Sequence, residues 1–114
     1  MPPSPDLLAF YRDLYDQAGL GPVTTRGMFG GAGVFKDGVM VALVAFDQLY
    51  LKTDAETRPR FDAAGLPPFT YDGKRGRPMV MSYSLCPDAA LEDPELFADW
   101  AGAAIEAARR AKRR

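Results

Sequence analysis

The chain of 114 residues predicts an α+β fold: an antiparallel β-sheet of about five or six hairpin-connected strands, N- and C-terminal helices, and one short internal helix. Three observations predict it. Apolar residues recur at helical spacing near both ends, the middle switches to extended runs, and those runs are joined by hairpin turns. With neither an internal repeat nor a linker, residues 1–114 read as one domain.

The first helix opens at Ser4-Pro5-Asp6, with Ser4 as N-cap, Pro5 at the first helical position and Asp6 facing the positive helix end. Leu7, Leu8, Tyr11, Leu14, Tyr15 and Ala18 share one face, and Gly19 and Gly21-Pro22 stop the helix. Residues 24–29, 32–36 and 39–46 then read as strands, and Asp37-Gly38 between the last two is a strong hairpin signal because glycine tolerates positive φ. Asp47-Gln48 turns into a fourth strand, residues 49–52. Both alternating sets of residues 39–46 are apolar, which predicts a central strand or one covered on both faces.

Thr57 reads as the N-cap of a short helix with Pro59 in its first turn, running through Ala64 and ended by Gly65. A start at Thr53, with Glu56 completing a capping box, competes but leaves Pro59 inside the helix, where it removes a hydrogen bond. Phe69-Thr70-Tyr71 and residues 78–85 form a second hairpin around the polar loop 72–77. The last helix opens at Asp93-Pro94, and its stripe of Leu96, Trp100, Ala103, Ala104, Ala107 and Ala111 lets it lie close to whatever it packs on.

Composition narrows the function classes. The apolar fraction is 47%, charged residues make up 25%, and the net charge is −1, all ordinary for a globular domain. The longest apolar run, residues 39–46, is far short of the roughly 20 residues that span a bilayer, and no signal peptide precedes it. A soluble, cytoplasmic protein without membrane contact is the expectation. The chain has no histidine and one cysteine, Cys86, which excludes an intrachain disulfide, Cys/His zinc sites and a histidine base. Cys86, ahead of Pro87, reads as a buried strand-end thiol, and Glu92, Asp93, Glu95 and Asp99 read as complements to a helix dipole. Catalytic residues, a metal site and a cofactor are therefore not expected.

Three segments are candidates for contact. Glycines 27, 30, 31 and 33 lack the spacing and the following helix of a phosphate loop, and read as a tight strand reversal. Arg26, Met28, Phe29, Gly30 and Gly31 form a candidate recognition surface there. Lys74, Arg75 and Arg77 cluster in the second hairpin loop. Arg109, Arg110, Lys112, Arg113 and Arg114 end the chain, and without them the net charge would be −6. These basic groups complement a helix terminus, or contact nucleic acid in a salt-sensitive, sequence-blind way. With Ala107, Ala108 and Ala111 before and among them, the tail is expected to contribute charge more than packing.

The ordered set Arg26-x-Met28-Phe29-Gly30-Gly31-x-Gly33, Leu49-Tyr50-Leu51-Lys52-x-Asp54, Gly65-x-Pro67-x-Phe69-x-Tyr71, Met81-Ser82-Tyr83, Pro87 and Trp100-Ala101 resembles the N-terminal domain of the TfoX/Sxy family over nearly the whole chain. That resemblance implies an α+β fold with an antiparallel sheet between terminal helices, and a link to bacterial natural competence and transcription regulation. Full-length regulators of that family add a helical C-terminal domain, so the chain reads as a stand-alone N-terminal domain. The function implied is a non-enzymatic regulatory module acting through a protein partner of unknown identity, as monomer or homodimer. Direct nucleic-acid binding through the tail and the loop at Lys74, Arg75 and Arg77 is one alternative. A small-molecule site at the glycine-rich turn is another.

Overall fold

The computed structural model describes residues 2–28 and 30–113, with the side chains of all of these except Lys74. Helix α1 (Pro5–Gln17) starts as its sequence requires: the Leu7 N–H donates to Ser4 Oγ at 3.1 Å. It ends where Gly19 takes φ +76°. Strands β1 (Thr24–Met28), β2 (Gly31–Lys36), β3 (Val39–Ala45) and β4 (Gln48–Lys52) follow as an antiparallel meander. Helix α2 (Arg58–Ala63) and the hairpin β5 (Pro68–Asp72)–β6 (Pro78–Leu85) come next, and β6 pairs with β4. One six-stranded sheet results, in the order β1-β2-β3-β4-β6-β5. A 3-10 turn over Asp88–Glu92 leads to α3 (Pro94–Arg113), capped by the Asp93 carboxylate, which accepts from the Glu95 N–H at 3.0 Å.

The helices cover one face of the sheet. Register partners Ala32–Val44, Val34–Ala42 and Val44–Leu49 point into that layer, all nearly inaccessible to water. Tyr15 of α1 meets Phe97 of α3 edge-on with centroids 4.9 Å apart, and Phe61 anchors α2 against Trp100 at the same distance. Of the predicted stripe, Trp100, Ala104 and Ala107 are buried but Ala103 is half-buried and Ala111 exposed; Phe97, Ala101, Ile105 and Ala108 complete the buried face instead, and its alanines let α3 lie close on the sheet.

Three local expectations are corrected. Strand β3 does not alternate strictly: Val34 pairs with Ala42 but Phe35 with Met40, so Val41 is an extra, bulged residue. Val41 and Ala42 both join the helix-side core, and Met40 turns to the opposite face with Leu43. Phe46 belongs to the turn after β3, not to the strand. Thr57 makes no side-chain cap to α2; in the turn before it, Asp54 Oδ1 accepts from the N–H groups of Glu56 and Thr57 at 3.1 Å each. Thr57 Oγ1 in return accepts from the Asp54 N–H at 3.0 Å, because the turn preceding α2 needs its own donors satisfied.

The tail is packed more than its alanines suggested, since Ala107 and Ala108 are buried. Arg110 donates from Nε to Asp54 Oδ2 at 2.7 Å, and the same Nε lies 2.9 Å from the Glu56 carboxylate. The Arg110 hydrogen bond holds the Asp54 carboxyl down at about 2, against the opposing effect of its desolvation. A carboxyl whose folded pKa is depressed adds stability above its unfolded value, and that stability is lost as pH falls through the folded one. Thermal melts followed between about pH 4 and pH 2 should therefore fall more steeply for the parent than for Asp54→Asn, which can keep the turn's acceptor without the ion pair. At neutral pH, Asp54→Ala should cost about 1 kcal/mol for the turn's lost acceptor. Parallel acid limbs for parent and Asp54→Asn would exclude the coupling.

Candidate functional site

Among the described residues, no helix covers the opposite face of the sheet. Arg26 and Met28 point there from β1, opposite Gly33 and Gly31. A Cβ on Gly33 would lie 2.8 Å from Phe35 Cε1 and 2.9 Å from Met28 Cε, so those two side chains rest across bare backbone. Leu43 and Tyr50 are register partners next to Tyr83, and these three form a second, smaller apolar cluster with Met40, Phe69 and Met81 packed on it.

Above that cluster lies a groove of about 880 Å³. One wall is built by Met28, Gly30 and Gly31 at the β1–β2 turn. Met40, Leu43, Ala45, Phe46 and Asp47 contribute from β3 and the following turn, and Phe69, Tyr71, Met81 and Tyr83 from the second hairpin. Four of the five methionines, Met28, Met40, Met79 and Met81, line this groove or the recess adjoining it. Among the described residues the helix-side core contains no methionine and is built from aliphatic and aromatic side chains and one thiol. Flexible, polarizable side chains are thus sorted to the face that is not covered.

The β3–β4 connection is the least expected feature. Ala45 pairs with Gln48, so Phe46 and Asp47 are the two central residues of a hairpin turn, at φ 52° and 60°. Two-residue hairpins demand positive φ there, and asparagine and glycine normally supply it. Here a phenylalanine does, and its side chain is 81% exposed, with its ring 6.3 Å from Phe69 at the groove rim. The Tyr11 hydroxyl, reaching from α1, donates to the Asp47 carbonyl at 3.3 Å and ties this turn to the helix layer.

The predicted site residues divide. Met28, Gly30 and Gly31 line the groove, so the glycine-rich turn borders a concavity. Arg26 lies toward the β1 edge of that face, its Cζ 4.6 Å from the Phe35 ring centroid. Arg75 and Arg77 are exposed and line, with Tyr71 and Met79, an adjoining recess of about 640 Å³. Arg109 pairs with Glu106 at 3.1 Å, Arg110 is engaged by Asp54, and Lys112 and Arg113 are exposed at the end of α3. Phe29, Arg114 and the Lys74 side chain lie outside the described residues. The sequence named none of Met40, Leu43, Phe46, Phe69, Met81 and Tyr83 as a contact residue, although Phe69, Met81 and Tyr83 stand in the ordered motifs that carry the resemblance. Their common signal is weak: they alternate with residues that are also apolar, or stand singly beside turns.

Two titratable groups on this face are shifted from their usual values. Burial lowers the Lys52 pKa, with Asp54 opposing, and Lys52 Nζ lies 2.6 Å from Ser82 Oγ. Burial raises the Tyr83 hydroxyl. Across the sheet the Cys86 thiol is buried and pushed up to about 12 by desolvation and by Asp88, so it is not poised as a nucleophile. The groove is therefore lined mainly by apolar, flexible side chains. Among the described residues no helix is long and apolar enough to cross a membrane.

No curated protein matches the chain significantly in sequence. The family profile described as the TfoX N-terminal domain matches residues 16–108, from the last two residues of α1 through the sheet and most of α3. Both the α+β architecture and this match agree with the resemblance carried by the ordered motifs, and the chain belongs to the TfoX N-terminal domain family.

Proposed function

We propose that the domain is a non-enzymatic regulatory module that works by protein contact, receiving an apolar segment of a partner in the groove on its open sheet face. Family membership supports a regulatory or competence-related role at the level of the family. Phe46 supports the finer reading. A phenylalanine in left-handed conformation costs about 1–2 kcal/mol relative to ordinary backbone. At 81% exposure it returns little of that to the fold. Exposed aromatic side chains set beside methionines that repack are the residue types enriched in the cores of protein interfaces.

The test places a photo-crosslinking benzoyl group at position 46 in cells of the source, with position 10 as the comparison. Phe10 is 45% exposed on α1, in the helix layer. A discrete protein adduct is expected from position 46, lost when Met81→Glu puts a charge in the groove. Adducts from position 10 with none from position 46 would move the contact to the helix side.

Direct contact with nucleic acid is the second reading, favoured by Arg75 and Arg77 exposed beside Tyr71. It requires that the chain retain a labelled oligonucleotide at low salt and that Arg75→Gln with Arg77→Gln abolish the retention.

A further inference from the structure

The second hairpin outgrows the sheet. Strand β6 pairs with β4 through Leu85, Ser84 and Tyr83, and the Thr53 N–H then donates to the Ser82 carbonyl at 2.9 Å. Beyond that bond Pro78, Met79 and Val80 pair with β5 alone. At about 3.3 Å per residue, the ribbon runs about 13 Å past Ser82 before its loop begins. Neither of its faces is covered there, since Tyr71, Met79 and Val80 are all exposed. The tip is tied into one shape: the Gly73 N–H donates to the Arg77 carbonyl at 2.7 Å, and the Gly76 N–H to the Gly73 carbonyl at 3.2 Å. Arg75 is held at φ 64°, a left-handed strain of the kind stored where a loop makes contact.

Helix α3 ends at the same end of the molecule. Arg110 bonds Asp54, the residue after Thr53, and Lys112 and Arg113 follow, both exposed. Nearby carboxylates are engaged: Asp54 and Glu56 by Arg110, Glu106 by Arg109, and Asp62 by Arg58. Lys52 is bonded to Ser82. Among the described residues no ion pair takes up Arg75, Arg77, Lys112 or Arg113. Residues 72–77 carry three basic groups against the Asp72 carboxylate, and residues 109–114 carry five against none. Asp47 stands in the turn that precedes β4, at the opposite end of that strand. Two cationic projections therefore share one end of a chain whose net charge is −1.

Resting on the reading of the Arg75–Arg77 loop as a nucleic-acid contact, we propose that this end of the molecule grips duplex DNA. The hairpin tip enters the minor groove of an A·T-rich segment, and Lys112 and Arg113 meet flanking phosphates. That groove is too narrow for a β-ribbon but admits arginine side chains, and over A·T runs it is narrowest and most negative. Gly76, between the two arginines, lets the tip backbone come close. A-form RNA offers no such slot, its minor groove being wide and shallow.

Fluorescence anisotropy tests this with the full chain at low salt and two labelled duplexes of equal length, one with a central A·T run and one all G·C. The A·T duplex should bind at least about fivefold more tightly, and netropsin, which fills the minor groove, should displace the chain from it. Arg75→Gln with Arg77→Gln should reduce A·T binding to the G·C level at unchanged melting temperature, because both side chains are exposed. Lys112→Gln with Arg113→Gln should weaken both duplexes alike and lower the salt slope by about 2. Equal affinity for the two duplexes, or resistance to netropsin, overturns the minor-groove site. In that event a single-stranded oligonucleotide still released by Arg75→Gln with Arg77→Gln would leave the nucleic-acid reading of the loop standing. Binding of no oligonucleotide overturns both. Displacement of the A·T duplex by a smaller charge equivalent of polyglutamate overturns the proposal in favour of an acidic protein.

Discussion

Gly31→Val is expected to lower the stability of the domain by about 3 kcal/mol, more than any other single glycine replacement in the β1–β2 turn. Gly31 opens β2 opposite Met28 and is buried. A Cβ built on it runs into the carbonyl oxygen of Val44, on the neighbouring strand β3. That obstacle is backbone, so relief requires the central ladder to part. Gly30 differs in kind. It takes φ +77° with open space around a Cβ, so Gly30→Val meets conformational strain of about 1–2 kcal/mol and no collision. Gly30→Asn should be milder, since asparagine tolerates that conformation. Urea denaturation of the three variants gives the order directly. An unchanged midpoint for Gly31→Val would show that this glycine is not a requirement of the fold.

Replacing Phe46-Asp47 by Asn-Gly is expected to act in the opposite direction on stability and to abolish partner contact. Both positions hold positive φ in a two-residue hairpin, the geometry Asn-Gly adopts without strain. Relief of the left-handed phenylalanine should raise stability by about 1 kcal/mol, a shift of several degrees in melting temperature. Little packing opposes the gain, since the side chain is 81% exposed. The Tyr11 hydrogen bond goes to the carbonyl of residue 47 and survives the change. The same variant removes the aromatic group at the groove rim, so crosslinking through this face should fall to background. A melting temperature below the parent would mean that Phe46 is a structural residue, and the contact reading would lose its support.

Fold and groove were not equally legible in the sequence. Ser4, Asp93 and Asp37-Gly38 announce themselves because capping and positive φ select few residue types. The turn at residues 46–47 is only half announced: Asp47 marks it, but nothing marks Phe46 as a central turn residue, and only the three-dimensional pairing of Ala45 with Gln48 shifts the turn back by one. The groove was hidden for a related reason. A strand apolar at every position carries no phase, so nothing in residues 39–46 says where a bulge falls or which side chains face the helices. The hold of Arg110 on Asp54 joins residues 56 apart in sequence, beyond any local pattern. Of the recognition surface expected at Arg26, Met28, Phe29, Gly30 and Gly31, the residues Met28, Gly30 and Gly31 border the groove and Arg26 lies outside its lining.

The bulge at Val41 also makes the sheet a partition between two separately variable surfaces. It puts Val41 and Ala42 together on the helix side and sends Met40 with Leu43 to the other. A change at Met40 alters what the open face can accommodate without entering the layer that stabilises the domain. A change at Val41 weakens that layer without reshaping the open face. Relatives with the same scaffold can therefore vary the shape of the open face by drift at a few strand positions, with the helix-side core left to their immediate neighbours.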